Sequence, residues 1–292
     1  MDRLKNLILY GVYKGFSLVA RALPDRGQQY LGLALGRLVY HLPENRRQLA
    51  FNNMKQALGG DYSINEIKQK VRGVYDHLGQ MLVEFILTER LDQDYIDQHI
   101  KITGLDNLEQ AYSRGQGVIL YSAHFGNWEW MGSLIPLLGY PMTAIVKPQH
   151  NPYFDQAITE LRQYTGSRVI ATGFSLRQAY QTLKNGDCLF VLGDQDARSQ
   201  GWKLDFLGRP ASTYGGVVKL ARRTGAAIVP MFMVRQGWGQ HHLQFLEPRW
   251  IGAEAGEERQ LELLQELTGI VEGYIREYPE QWFWLHRRWK TY

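Results

Sequence analysis

Between His99 and Phe245, short apolar runs alternate with longer stretches of helical periodicity, and that alternation leaves few folds open. Strand-like runs fall at 99–103, 118–122, 143–146, 168–170, 188–192, 227–234 and 242–245. Helical patterns occupy 105–113, 127–138, 152–165, 174–184 and 213–224 between them. Strands separated by helices of roughly 10–15 residues predict an α/β fold: a largely parallel central sheet with helices on both faces. Residues 1–90 read as a helical N-terminal portion and 91–292 as the α/β core, forming one structural unit overall. A hydrophobic content of 45% suffices to fill such a core. In the helical portion, Ser63 and Glu66 form a capping-box pattern ahead of an apolar repeat from Ile64 to Phe85. Glu84 on that helix reads as solvated or structurally paired.

The stretch 117–130, GVILYSAHFGNWEW, carries the first candidate chemistry. Val118 to Tyr121 reads as a buried strand, and a helical pattern starts near Asn127. On a continuous helix His124 and Glu129 would lie about 140° apart. They meet only if His124 sits in the turn and Glu129 in the first helical turn, with Gly126 letting the backbone fold back. The Glu129 carboxylate would then accept a proton from one imidazole nitrogen and leave the other free to act as a base. A strand-end histidine satisfied by a local hydrogen bond is the plainer alternative. The acid five residues on, the intervening glycine and the strand–turn–helix context weigh against it.

The hexapeptide His124-Phe125-Gly126-Asn127-Trp128-Glu129 resembles the H-X4-D/E signature of glycerolipid acyltransferases. It is most similar to the late acyltransferases of lipid A biosynthesis, the lauroyl and myristoyl transferases, which carry Glu where phospholipid enzymes usually carry Asp. Ala123, where phospholipid members often have Asn, points the same way. The resemblance extends through Arg46-Arg47 with Asn52-Asn53-Met54, Gly193 to Asp196, Phe206-Leu207-Gly208 with Thr213, and the closing Gln281 to Lys290. It implies transfer of a fatty acyl chain from a thioester, on acyl carrier protein or CoA, to a hydroxyl of a lipid A precursor. The place implied is the cytoplasmic face of the inner membrane, with no cofactor. His124 would be the general base and Glu129 would steady the imidazolium. Acylation of another glycophospholipid, such as a phosphatidylinositol mannoside or a lysophospholipid, is the alternative within the class. A membrane-binding protein on an inactive acyltransferase scaffold, or a hydrolase, lies outside it.

Further candidates follow from the same frame. Asp194 and Asp196 flank Gln195 after the apolar run 188–192, at the strand end where α/β proteins gather ligands. Two carboxylates without a third ligand do not make a metal site. Loop capping is one reading of them; the resemblance implies that one orients His124 or an arginine. It also implies a basic residue near Lys147 or Arg162 that grips an anionic substrate group. Residues 206–216 read as a glycine-bearing loop with Thr213 capping the next helix. Arg222 and Arg223 on that helix are solvated or face an acidic carrier protein. The last residues mix Trp282, Trp284 and Trp289 with His286, Arg287, Arg288 and Lys290, a composition suited to the headgroup level of a bilayer or, alternatively, to core packing. No nucleic-acid fold signature accompanies them.

The formal net charge is +4, which suits an anionic membrane surface or an acidic partner. Arg3, Lys14 and Arg21 lie within about 20° of one another on a helical wheel whose other faces are apolar. That pattern predicts an amphipathic helix in the bilayer interface, with a core-covering helix and a tilted span as alternatives. No cleavable signal peptide is evident. Cys188, the single cysteine, excludes an intramolecular disulfide and sits in a strand pattern.

Overall fold

A computed structural model describes residues 2–42, 44–172 and 175–292. Four helices come first: α1 (Asp2–Ala22), α2 (Asp25–His41), α3 (Glu44–Leu58) and α4 (Ile64–Ile86). The capping box is present: the Ser63 hydroxyl accepts from the Glu66 amide, and the Glu66 carboxylate accepts from the Ser63 amide. α4 runs from the helical layer into the core. It crosses α2 at glycines, and a Cβ on Gly36 would lie 2.2 Å from the Tyr75 carbonyl oxygen. The two helices approach so closely because neither backbone carries a side chain there.

The α/β part follows as α5 (Gln93–His99), β1 (Ile100–Thr103), α6 (Leu105–Tyr112), β2 (Val118–Ser122), α7 (Trp128–Leu137), β3 (Met142–Val146), α8 (Pro152–Tyr164), β4 (Arg168–Ala171), α9 (Ser175–Lys184) and β5 (Cys188–Leu192). It continues with β6 (Trp202–Phe206), β7 (Arg209–Thr213), α10 (Gly216–Thr224), β8 (Ala227–Gly237), β9 (Gln240–Phe245) and α11 (Glu257–Glu277). The main sheet has seven strands in the order β1-β9-β8-β2-β5-β3-β4, while β6 and β7 form a separate antiparallel pair. All neighbours in the main sheet are parallel except β8 and β9. β2 shows why apolar runs without alternation predicted this: Ile119 and Tyr121 enter one core cluster, Val118 and Leu120 the other. Both faces of a central parallel strand are buried.

Several local expectations need correction. His99 ends α5 and the strand starts at Ile100. Residues 206–216 are not a loop: β6 and β7 make a hairpin, Thr213 is its last strand residue, and the next helix starts at Gly216 with Gly215 as N-cap. The tryptophans near the end are interior residues: Trp282 and Trp289 are buried against Phe206, and Trp284 is buried against Trp282. Arg288 among them is buried too, donating to the Ser212 carbonyl and to the Thr213 hydroxyl. The core-packing alternative therefore holds for the three tryptophans and Arg288, while Arg287 and Lys290 are exposed.

α1 is two-sided. Ser17 and Ala20 are buried, and Arg21 pairs with Glu89. Leu4, Ile8, Val12 and Leu18 on the other side are each more than half exposed. Among the described residues, no helix is long and apolar enough to cross a membrane.

Candidate active site

The site is built by strand register. β2 and β5 are adjacent and parallel, with Ser122 opposite Leu192. Continuing each chain two residues beyond its strand brings His124 and Asp194 side by side at the carboxyl ends. His124 Nδ1 donates to Asp194 Oδ1 at 2.8 Å, and the His124 backbone amide donates to Asp194 Oδ2 at 3.0 Å. Trp282 Nε1 also donates to Oδ2, at 2.8 Å. An ionised carboxylate only accepts, so Nδ1 carries the proton and Nε2 is the lone-pair nitrogen of neutral His124. The Gln195 amide nitrogen lies 3.2 Å from that Nε2.

The electrostatics are those of a coupled pair. Burial alone would push the His124 imidazole down, but the Asp194 carboxylate overrides it and holds the pKa above the usual value, with Glu129 adding in the same direction. Burial likewise opposes ionisation of Asp194, yet His124 and the three hydrogen bonds bring its pKa down to about 2.

Glu129 does not hydrogen-bond to His124. It sits in the first turn of α7, where it faces α8 instead, and Arg162 grips it with Nε on Oε2 at 2.8 Å and Nη2 on Oε1 at 2.7 Å. Trp128 Nε1 donates to the same carboxylate at 3.2 Å. The expected His124–Glu129 contact is thus replaced by two pairs, His124–Asp194 and Glu129–Arg162. A fixed guanidinium fork suits a carboxylate better than one imidazole N–H does. Lys147 is exposed beyond β3 and has no ion pair or side-chain hydrogen bond among the described residues. Asp196 makes no hydrogen bond to His124 and accepts from the Thr291 hydroxyl at 3.0 Å. Among the described residues, no group of His, Cys, Asp and Glu side chains is arranged to hold a metal ion.

The turn between β2 and α7 is held from behind. Gly126 adopts φ +57°, and a Cβ there would fall 1.7 Å from the Met233 carbonyl oxygen. Its amide donates to the Gln281 carbonyl, and His77 Nε2 hydrogen-bonds to its carbonyl oxygen at 3.1 Å. Asn127 caps α7, its side-chain oxygen accepting from the Trp130 amide while its NH2 donates to Glu84. Glu84 is buried, clamped by Arg235 and approached by His241. Burial would raise its pKa, but Arg235 and His241 hold it well below the usual carboxylate range. The His77 imidazole is pushed down to about 3, first by burial and then by Arg235. It stays neutral and holds the turn as a fixed hydrogen-bonding partner. The C-terminal segment closes this support, the Phe283 amide donating to the His124 carbonyl at 3.0 Å.

Sequence reasoning missed Gln195, Trp282, His77 and Arg235 as members of this assembly. Only Gln195 had a local signal, its place between two aspartates; the others arrive from distant elements.

A model of the bacterial lipid A biosynthesis acyltransferase family matches residues 3–291. The chain belongs to this family. It is 26% identical over 264 residues to the lipid A biosynthesis palmitoleoyltransferase of Escherichia coli (strain K12), covering 90% of this chain and 84% of that one. It is 22% identical over 280 residues to a lipid A biosynthesis acyltransferase of Haemophilus influenzae, covering 94% and 86%. A phosphatidylinositol mannoside acyltransferase of Mycobacterium tuberculosis is 28% identical over 144 residues, 47% of this chain and 46% of that one. The protein is an acyltransferase.

Proposed function

We propose that this acyltransferase moves a fatty acyl chain from an acyl thioester to a hydroxyl of a lipid A precursor, with His124 as the general base. The observation that carries the reading is the His124–Asp194 pair at the ends of two adjacent parallel strands, in a chain of this family. The acceptor hydroxyl replaces the Gln195 amide at His124 Nε2 and gives up its proton there as its oxygen attacks the thioester carbon. Asp194 stabilises the imidazolium that forms. The tetrahedral intermediate expels the thiolate, which takes the proton back from His124. No bond to the enzyme is required, and Cys188 is unsuited to one because burial pushes its thiol up to about 12.

The Glu129–Arg162 pair stands beside this base. Glu129 fixes the guanidinium and adds negative potential at His124, while the remaining Arg162 donors face an anionic group of a substrate. Acyl carrier protein is the favoured donor and acyl-CoA the alternative, as the resemblance implies. The exposed apolar side of α1 rests in the interface of the inner membrane, on its cytoplasmic face.

The test offers purified protein with acyl carrier protein or CoA thioesters and an acceptor panel: a lipid A precursor, a phosphatidylinositol mannoside and a lysophospholipid. Product masses report the outcome. The reading expects acyl mass on the lipid A precursor. Acylation confined to another acceptor, or free fatty acid formed without any acceptor, overturns it.

A further inference from the structure

Two basic runs lie at opposite ends of the sequence, Arg46-Arg47 and Arg287-Arg288, and the fold brings them together. Arg46 Nη1 donates to the Leu285 carbonyl at 3.0 Å, and the Asn53 side chain donates to the Trp284 and His286 carbonyls, each at 2.9 Å. Two of the four guanidinium groups serve the protein alone, and Arg46 is tethered through Nη1, which leaves its other nitrogens as donors. Arg47 donates to the Tyr40 carbonyl and lies over the Tyr40 ring, while Arg288 is buried. The other two line a cleft of about 460 Å³ with Asn45, Gln48, Leu49 and Asn52.

The lining is one-signed. No acidic residue lines the cleft, and neither Arg46 nor Arg287 pairs with a carboxylate among the described residues. Elsewhere Arg21, Arg90, Arg162, Arg235, Arg249 and Arg276 have such partners, while others, such as Arg114 and Arg177, have none among the described residues. Gln48 donates to the Asn52 side-chain oxygen at 2.8 Å, which leaves the Asn52 NH2 as a further donor. Two guanidinium forks and amide donors without an acid form a receptor for a phosphate. Exposed apolar residues stand a few positions before Arg46 in the chain, Leu42 at most about 14 Å from it. Leu38 and Leu42, at the end of α2 just before the cleft helix, are 57% and 71% exposed. An anion carried on a hydrocarbon chain fits that combination better than a free ion does.

We propose that the Arg46–Arg287 cleft is a binding site for the phosphate of a lipid headgroup. Its place in the reaction rests on the lipid acyltransferase reading above. Phe283, whose amide holds the His124 carbonyl, is four residues from Arg287, so the two are at most about 14 Å apart along the chain. That span is within the size of one glycolipid, which on this proposal presents a hydroxyl to His124 and a phosphate to the cleft.

The test is calorimetric titration of the full-length protein with dihexanoyl phosphatidic acid, a soluble lipid phosphate, and separately with inorganic phosphate. R287Q, an exposed substitution, and R46Q/R287Q should weaken phosphatidic acid binding by about tenfold or more, with R287K intermediate. R287Q alone decides the matter if the double variant fails to fold. Affinity unchanged in R287Q overturns the proposal, and so does inorganic phosphate binding as tightly as the lipid. Acyl transfer then identifies the source. A KM for phosphorylated acceptor raised about tenfold, with kcat little changed and no effect on dephosphorylated acceptor, assigns the cleft to the acceptor's own phosphate. Weakened phosphatidic acid binding with an unmoved acceptor KM assigns it to the phosphate of surrounding bilayer lipid. A raised KM for acyl carrier protein alone, with lipid binding intact, overturns the proposal in favour of an acidic protein partner. Should no transfer to a lipid A precursor occur, the acceptor reading fails while the titration still decides the cleft.

Discussion

Replacing Asp194 by Asn separates charge from shape at the site. The carboxylate is 3% exposed and accepts three hydrogen bonds, from His124 Nδ1, the His124 amide and Trp282 Nε1. Lowering its pKa from 3.8 to about 2 against burial corresponds to about 2 kcal/mol in favour of the ionised form. On the proposed mechanism, the part of it that comes from His124 is what stabilises the imidazolium as it forms. The amide keeps the volume, removes the charge, and can turn its NH2 toward Nδ1, which selects the wrong tautomer. Acyl transfer should fall about 10²–10⁴-fold, the range for losing effective general-base catalysis. The pH profile gives the sign. Transfer needs neutral His124, whose pKa lies above the usual 6.5, so the wild-type rate rises with pH through a midpoint above that value. With Asn the largest raising effect is gone and burial is opposed by Glu129 alone, so the residual activity should turn on at lower pH. Stability follows the same linkage. The ionised Asp194 contributes above about pH 4 and loses that contribution as pH falls toward 2, so the stability gap between wild type and variant should narrow over that window. Steady-state rates across pH beside thermal unfolding curves measure all three. A variant that keeps more than about a third of the wild-type rate with an unmoved acid limb would refute the pairing.

Three other perturbations probe the neighbouring parts. Glu129→Gln and Arg162→Gln each leave a partly buried partner unpaired, so each should cost about 1–3 kcal/mol of stability and slow transfer. The double variant should be no worse than the slower single one, and additive losses in a double-mutant cycle would show that the two act separately. Gly126→Ala places a methyl against the Met233 carbonyl at positive φ and should lower both melting temperature and rate; a variant of wild-type stability contradicts the turn geometry. Replacing Leu4, Ile8, Val12 and Leu18 by Gln removes exposed side chains worth about 1.5–3 kcal/mol each when buried in lipid. The protein should then stop sedimenting with vesicles while melting as before, and undiminished sedimentation places the anchor elsewhere.

The strands and the turn were legible because their signals are local. The apolar run 118–122, the Ser63–Glu66 box and the glycine at 126 each act within a few residues. The partner of His124 was legible only through the resemblance, which left open whether Asp194 or Asp196 serves and whether it orients His124 or an arginine; Asp194 is 70 residues away and arrives through the β2–β5 register. Short spacing suggested Glu129 instead, but an acid in the first turn of α7 faces α8, where Arg162 makes the better partner. The Trp-rich end failed for a related reason. Interleaved aromatics and cations suit both a headgroup layer and a core, and only tertiary placement shows Trp282 supporting Asp194 from inside. Of the two readings of Glu84, the structurally paired one holds: it is buried and anchors the β2–α7 turn through Asn127.

The central claim, that His124 removes the acceptor proton, is tested most directly by the acyl-transfer rate of purified His124→Ala with a lipid A precursor and an acyl thioester. Removing the imidazole takes one of three hydrogen bonds from the buried Asp194 carboxylate, so the variant should melt a few degrees lower yet stay folded, held by the His124 amide and Trp282. The account predicts a rate about 10²–10⁴-fold below wild type with little change in donor KM. A folded variant that retains more than about a third of the wild-type rate contradicts it.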